Sequence, residues 1–229
     1  MFEGEVIGKL LLENGFTHLH HANTASTALT YLKNDAILSR QFVDSHNDKY
    51  WQTMQGTDSK DKEYMIYNDI FFDVENIWNR SDINYYGPVV FKFPVGLLSG
   101  KKVKISAENP VHWEGLPLEQ RYIADVDKII EFCTKGKKWN FKNHLIIPDT
   151  EFLSLNELGE ILFYCSLDSY SGDPRNNPQR SFELLEIECN RMNITINKIH
   201  KESIPQEKHG LFYGFMDIAM QRATQKSTE

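Results

Sequence analysis

The stretch FTHLHHANTASTALTYLKNDAILSR, residues 16–40, predicts a β-strand that leads directly into an α-helix. Apolar and polar residues alternate from Phe16 to His21, as in a half-buried strand. One face of a helix then follows, formed by Ala25, Ala28, Leu29 and Leu32. Thr24 is the predicted N-cap, because its hydroxyl can accept a free backbone N–H of the first turn. The histidines of the strand therefore meet a helix start with partial positive charge, which favours an anionic or polar ligand.

Residues 19–40 also resemble the first motif of the ADP-ribosyltransferase superfamily. The branch they resemble most contains the DarT-type DNA-modifying toxins and the RNA 2′-phosphotransferases. Leu19-His20-His21 matches the strand end of that motif, Leu29-Thr30-Tyr31-Leu32 its helix, and Ala36-Ile37-Leu38-Ser39-Arg40 its exit. The resemblance implies an α+β fold in one domain over residues 1–229, with a split mixed or antiparallel sheet core surrounded by helices. The irregular order of predicted strands and helices independently favours the α+β class.

The resemblance implies that NAD is bound as a substrate and that no metal is required. In the family, the histidine at the strand end binds ribose hydroxyls, and an arginine past the exit holds phosphate. These roles fall on His21 and on Arg40, whose permanently charged guanidinium can bind phosphate through two hydrogen bonds. The other predicted NAD contacts are Asn23 and Thr24 at the helix start, and Tyr31 or Tyr67 against the nicotinamide.

The implied reaction is transfer of ADP-ribose to a macromolecular acceptor, with DNA and RNA as the candidates. The resemblance also implies a toxin or phage-defence role, often beside an antitoxin protein. The transition state resembles an oxocarbenium ion, so a carboxylate near the ribose is needed. Asn143 or His144 stands where family members often carry this glutamate, and Glu151 is the nearest alternative. Glu151 and His21 are therefore the predicted catalytic residues.

Three carboxylates around the second predicted strand, Tyr67–Val74, support a different class of enzyme. Asp69, Asp73 and Glu75 could bind Mg²⁺ and drive phosphodiester hydrolysis in a metal-dependent nuclease. The same carboxylates could instead pair with Arg80 or with lysines at the strand edge. A third alternative is a non-catalytic protein that binds NAD or nucleic acid.

The composition limits the partners and the compartment. The 229 residues carry a net charge of −7, which argues against tight nonspecific binding of nucleic acid. Lysines cluster only in residues 101–104 and 135–142, which could form one local basic patch. No run of eighteen apolar residues predicts a membrane-spanning helix. The absence of a secretory signal and the three widely spaced cysteines predict a reducing compartment, the cytoplasm.

The rest of the chain predicts further elements around this start. Residues 41–64, QFVDSHNDKYWQTMQGTDSKDKEY, predict a long polar loop that acts as a lid over the ligand. Residues 223–229 predict a mobile tail. The other predicted elements are strands at Pro88–Phe93 and His144–Pro148, a helix at Pro117–Cys133, and a helix that starts at the capping box of Ser154.

Overall fold

The computed structural model describes residues 1–47, 49–53, 56–79, 86–166, 176–202, 204 and 208–215. The α-helices are α1 Gly4–Glu13, α2 Ala25–Lys33, α3 Arg40–Ser45, α4 Asp58–Glu63, α5 Ile129–Cys133, α6 Pro178–Met192 and α7 His209–Tyr213. The strands are β1 Phe2–Glu3, β2 His18–Asn23, β3 Ala36–Leu38, β4 Ile70–Phe72, β5 Val89–Pro94, β6 Lys102–Ile105, β7 Thr134–Lys135, β8 Lys138–Trp139, β9 Leu145–Ile147, β10 Phe152–Ser154, β11 Glu160–Cys165 and β12 Thr195–His200. The predicted tail, residues 223–229, lies outside the described residues.

Two four-stranded sheets form the core, which confirms the predicted α+β class with a split sheet. The first has the order β12-β11-β5-β2 and is mixed, because β11 and β12 run parallel. The second has the order β1-β6-β9-β4 and is antiparallel. His20 and Asp73 exchange two backbone hydrogen bonds of 2.8 and 2.9 Å, and this bridge joins β2 to the end of β4. Buried side chains of both sheets pack into one hydrophobic cluster.

The strand and helix predicted from residues 16–40 are confirmed. Thr24 caps α2, since its Oγ1 accepts the backbone N–H of Thr27 at 3.3 Å. The predicted strand at Pro88–Phe93 is β5, which lies between β2 and β11 in the mixed sheet. The predicted strand at His144–Pro148 is also confirmed, as β9.

The register of the mixed sheet places two sets of residues on opposite faces. His20 lies opposite Lys92, which lies opposite Glu160, and side chains directly across a sheet project to the same side. His21 lies in the neighbouring row, opposite Phe91, and so projects to the other side. Tyr31 of α2 packs on that second side, with its ring 6.0 Å from the ring of Phe91. Adjacent histidines in the sequence therefore belong to different surfaces.

The predicted helix at Pro117–Cys133 is wrong over most of its length. Only α5 at its end is α-helical, and short 3-10 turns occupy Leu118–Gln120 and Val126–Lys128. Between them, the N–H of Ile123 donates to the carbonyl of Ile105 at 2.9 Å, so this stretch extends along β6. Ile123, Ile129 and Cys133 are buried, and edge pairing with the sheet buries the first of them without a helix.

The helix predicted from Ser154 is also wrong. Ser154 caps only a 3-10 turn at Leu155–Glu157, and β11 follows. The apolar spacing that suggested a helix here also fits a strand that is buried on both faces. β11 pairs with β5 on one side and β12 on the other, and these long-range partners determine its structure.

The predicted long loop at residues 41–64 is wrong in its secondary structure, because α3 and α4 occupy parts of it. Gln52 is only 6% exposed, so this segment also contributes a buried polar side chain. Its action as a lid stays a prediction. We refer to residues 41–64 below as the lid segment.

Candidate active site

His21 presents a buried hydrogen-bond acceptor beside α2. Its Nδ1 lies 2.7 Å from the carbonyl oxygen of Phe71, so Nδ1 carries the proton and donates it. Burial lowers the pKa of His21, which keeps the ring neutral at physiological pH. Nε2 is then an acceptor, and it has no hydrogen-bond partner among the described residues. A ligand hydroxyl is the kind of donor that this nitrogen can bind.

Hydroxyl groups surround the start of α2. Thr24 Oγ1 lies 2.6 Å from Thr53 Oγ1, and the backbone N–H of Thr53 donates to Thr27 Oγ1 at 3.0 Å. Asn23 is buried in front of them, and its Nδ2 donates to the His21 carbonyl at 3.4 Å. Thr53 belongs to the lid segment, so this segment already contacts the helix start that is predicted to bind a ligand.

Arg40 is engaged by a carboxylate of the lid segment. Its Nε lies 2.6 Å from Asp58 Oδ1, and its Nη2 donates to Asp58 Oδ2 at 2.7 Å. Nη2 also donates to the carbonyl of Thr53 at 3.1 Å. The two side chains of the pair are 20% and 18% exposed. Asp58 thus makes the bidentate interaction through which an arginine binds phosphate.

Gln52 connects Arg40 to Tyr31. Its Nε2 donates to the Tyr31 hydroxyl at 3.0 Å and to the Leu38 carbonyl at 2.8 Å, and Arg40 Nη1 approaches its Oε1 at 3.4 Å. Burial raises the pKa of Tyr31, so its phenol stays protonated. The Tyr31 and His21 rings are 5.9 Å apart. Of the predicted site residues, the structure therefore brings together His21, Asn23, Thr24, Tyr31 and Arg40.

Tyr67 and Glu151 lie at the margin of this cluster. Tyr67 lines a cavity of about 500 Å³ with Asp44 and Lys104 among others, and Lys62 lies 4.7 Å above its ring. The carbonyl oxygen of Glu151 accepts the Ser39 N–H at 2.9 Å, so its backbone is next to Arg40. The Glu151 side chain is exposed, which does not suit a preorganised catalytic carboxylate.

Glu160 is a more firmly held carboxylate that the sequence analysis did not select, and it lies on the face of the mixed sheet opposite His21. It begins β11, where it accepts hydrogen bonds from Lys92 Nζ at 2.5 Å and Asn197 Nδ2 at 2.6 Å. The hydrogen bond from Lys92 lowers the pKa of Glu160, so the group is ionised at neutral pH. His20 lies in the same cross-strand row. The run Glu160–Cys165, EILFYC, is rich in β-branched and aromatic residues and could have indicated a strand.

The fold of this chain is similar to that of solved structures. Thermus sp. 2.9 DarT in complex with ADP-ribosylated ssDNA superposes with a TM-score of 0.50, covering 82% of this chain and 95% of that chain at 7% sequence identity. This chain has a DarT-like ADP-ribosyltransferase fold. The same Thermus protein with NAD⁺ gives a TM-score of 0.46 at 7% identity, covering 82% and 96% of the two chains. The same protein with carba-NAD⁺ gives a TM-score of 0.48 at 8% identity, covering 82% of this chain and 97% of that chain. No protein-family model and no curated protein sequence matches the chain.

Within the DarT-like fold, the carboxylates of the alternative nuclease site have structural partners. Asp69 Oδ1 accepts the backbone N–H of Asp149 at 2.8 Å, and Asp73 Oδ1 lies 3.1 Å from His144 Nδ1. Glu75 is described and also has a partner, while Arg80 lies outside the described residues. The described part of the chain contains no group of three or more His, Cys, Asp or Glu residues arranged to hold a metal ion. It also contains no helix long and apolar enough to cross a membrane.

Unfolding of the DarT-like fold is expected to depend on pH through His20. Burial lowers the pKa of His20 to about 4, even though nearby Asp73 favours the charged form. His20 therefore takes up a proton near pH 6.5 in the unfolded chain but only near pH 4 in the folded chain. The free energy of unfolding decreases as the pH falls through this window. We expect a loss of about 1.4 kcal/mol from this group by pH 5.5. Urea unfolding at pH 7.5 and pH 5.5 checks this, with His20→Gln as the variant whose stability should fall less; an equal fall would contradict it.

Proposed function

We propose that this protein transfers ADP-ribose from NAD to a nucleic-acid acceptor. The observation that carries the proposal is the gathering of His21, Thr24, Tyr31 and Arg40 around α2 within a DarT-like fold. The Thermus protein with this fold has been solved with ADP-ribosylated ssDNA, which supports nucleic acid as the acceptor class here. The three cysteines are free and buried, consistent with action in the cytoplasm.

NAD would be held by a neutral hydrogen-bond acceptor at its ribose and by a cation at its pyrophosphate. Neutral His21 would accept a hydrogen bond from a ribose hydroxyl through Nε2, and Asn23 and Thr24 would offer further polar contacts. Arg40 would bind the pyrophosphate after release from Asp58. Tyr31 is 3% exposed and packed in the core, so half-buried Tyr67 is the better candidate to contact the nicotinamide. Closure of the lid segment over NAD would exclude water from the reacting bond.

The carboxylate would favour the positive charge that develops on the ribose as nicotinamide leaves. Both Glu151 and Glu160 are candidates, and they differ in how firmly the structure holds them. Glu160 is fixed by two hydrogen bonds on a strand, whereas the Glu151 side chain is exposed in a connection. A carboxylate that is already oriented costs no reorganisation in the transition state, which favours Glu160 if the ribose lies on the sheet face of His20 and Lys92. Glu151, whose backbone adjoins Arg40, is the candidate if the ribose lies on the side of His21.

Calorimetry in the presence of EDTA tests the binding step. We expect the protein to bind NAD without added metal, because the proposed contacts are all made by side chains of the chain itself. His21→Ala should weaken binding roughly tenfold, since it removes a hydrogen bond. Glu114→Ala, which removes an exposed ion pair with Lys60, is the matched control and should bind like the wild type. No heat at millimolar NAD, with Mg²⁺-dependent cleavage of nucleic acid, would instead favour a nuclease that uses Asp69, Asp73 and Glu75.

We also propose a toxin or phage-defence role in which an antitoxin protein restrains the activity. Induced expression in a bacterial host should then arrest growth and leave ADP-ribose on the host nucleic acid. A variant that binds NAD but has lost transfer activity should grow normally. Normal growth with the active enzyme would remove the toxin role and leave the transferase proposal intact. NAD binding without any turnover would point to the non-catalytic alternative.

A further inference from the structure

A basic β-hairpin projects from the second sheet between α5 and β9. β7 and β8 pair Thr134 with Trp139 and Lys135 with Lys138, and the N–H of Asn140 donates to the carbonyl of Cys133. The turn residues Gly136 and Lys137 both have positive φ, 58° and 66°, as in a type I′ turn. The buried Trp139 anchors the hairpin, since its ring packs edge-on against Phe16 at 5.6 Å. We call residues 132–142 the Lys–Phe hairpin.

Two features of the Lys–Phe hairpin work against its own stability. Lys137 adopts a left-handed conformation that glycine or asparagine occupies at lower cost. Lys135 and Lys138 lie directly across the ladder, where like charges destabilise a strand pair. Neither they nor Lys137 forms an ion pair with any residue in the described ranges, and the segment itself contains no acidic residue. Local conflicts of this kind are expected where a surface serves binding.

Two exposed aromatic rings stand at the base of the same hairpin. Phe132 is 58% exposed and Phe141 is 62% exposed, although large apolar side chains favour burial. Phe132 also lines a cavity of about 310 Å³ together with Tyr122, Ile123 and Lys128 among others. Lys142 is adjacent to Phe141 and forms an exposed ion pair with Glu108. The surface therefore combines stacking faces, a cavity lined by apolar and charged side chains, and unpaired lysines among the described residues.

We propose that the Lys–Phe hairpin is a docking surface for single-stranded nucleic acid. Its lysines fit the phosphates, and Phe132 and Phe141 fit the faces of unstacked bases, a combination that binds strands with little sequence preference. A duplex hides those faces, so single strands are the favoured occupant. The chain carries a net charge of −7, and this segment holds one of its two lysine clusters, so it offers phosphates a local complementary charge. Its role as the site that receives the acceptor strand rests on the proposed function, whereas the binding itself does not.

Fluorescence anisotropy with labelled single-stranded DNA, RNA of the same sequence and the matching DNA duplex tests the surface. The first variant is Lys135→Gln/Lys137→Gly/Lys138→Gln, in which glycine suits the positive φ and so protects folding. The control is Lys9→Gln/Lys33→Gln/Arg180→Gln, which gives the same net charge by neutralising exposed basic residues outside both lysine clusters. The hairpin variant should lose at least tenfold in affinity for single strands, with a salt dependence flatter by about 2 in log–log slope. The control should change less than twofold.

Phe141→Ser gives a second, charge-neutral test and should weaken single-strand binding roughly tenfold, by loss of stacking. Equal affinity for the DNA and RNA strands supports recognition of phosphates and base faces. The proposal is overturned if the hairpin variant and its control lose the same affinity for single strands. It is also overturned if the duplex binds as tightly as the single strands. NAD hydrolysis without acceptor distinguishes the two proposals. If the hairpin variants keep both NAD hydrolysis and their affinity for single strands, only the docking-surface proposal is contradicted. If strand binding depends on the hairpin but the protein neither binds NAD nor transfers ADP-ribose, only the transferase proposal is contradicted.

Discussion

Replacing Glu160 with Gln is expected to lower ADP-ribosyl transfer by about a hundredfold or more while leaving NAD affinity nearly unchanged, if the ribose of bound NAD lies on the sheet face that Glu160 shares with His20. The substitution keeps the size and hydrogen-bonding capacity of the side chain and removes only its charge. That charge acts on the oxocarbenium-like transition state and much less on the neutral ribose of bound NAD. The measurement is transfer of labelled ADP-ribose to DNA and RNA strands, with NAD hydrolysis followed in parallel.

Two controls separate this effect from a loss of structure. Glu151→Gln makes the same chemical change at the exposed carboxylate and should keep near wild-type turnover. Lys92→Gln removes the partner that lies 2.5 Å from Glu160 and should alter the pH profile of turnover, because Lys92 lowers the pKa of Glu160. Loss of turnover in Glu151→Gln, with Glu160→Gln active, would return the catalytic role to Glu151. Loss of turnover in Glu160→Gln with His21→Ala fully active would place the ribose on the sheet face of His20. If both variants and His21→Ala are active, the proposed site is wrong.

Local signals made the start of the chain predictable. A cap at Thr24, apolar spacing in α2 and alternation in β2 are all written in neighbouring residues, so strand, helix and boundary follow from the sequence. The prediction at β11 failed for the opposite reason, because its strand conformation depends on pairing with β5 and β12, which lie far from it in the sequence. Glu160 was missed for this reason, since a residue assigned to the edge of a helix does not suggest a position on a sheet. Its row with Lys92 and His20 exists only in the folded register.

The contacts of Arg40 show a second limit of reading the sequence. The resemblance to the family motif implied that Arg40 binds phosphate, and nothing in the sequence indicated that Asp58 would hold it. An ion pair between residues 18 positions apart depends on how the lid segment folds back over α2. The sequence thus predicted which groups gather at the site, but not the contact that already occupies its cationic group.

Asp58→Ala is expected to destabilise the free protein and to strengthen NAD binding. Removing one partner of a well-buried ion pair costs about 3–5 kcal/mol, and because this pair keeps some exposure we expect about 2 kcal/mol. If Asp58 must leave Arg40 before pyrophosphate can enter, the variant no longer has to break that contact. The dissociation constant for NAD should then fall about tenfold or more. Calorimetry measures the affinity, and thermal unfolding with and without NAD measures the stability.

The distinctive result is opposite signs for the two measurements. Asp58→Ala should melt at a lower temperature than the wild type without NAD, yet gain more in melting temperature when NAD is saturating, because a tighter ligand stabilises the folded state more. Arg40→Ala should lose stability and NAD affinity together, since it removes the proposed phosphate contact itself. Glu114→Ala breaks an exposed ion pair with Lys60 of the same segment and should change neither by more than a few tenths of a kcal/mol. If Asp58→Ala weakens NAD binding as much as Arg40→Ala does, Asp58 holds Arg40 in its binding position and does not compete with phosphate.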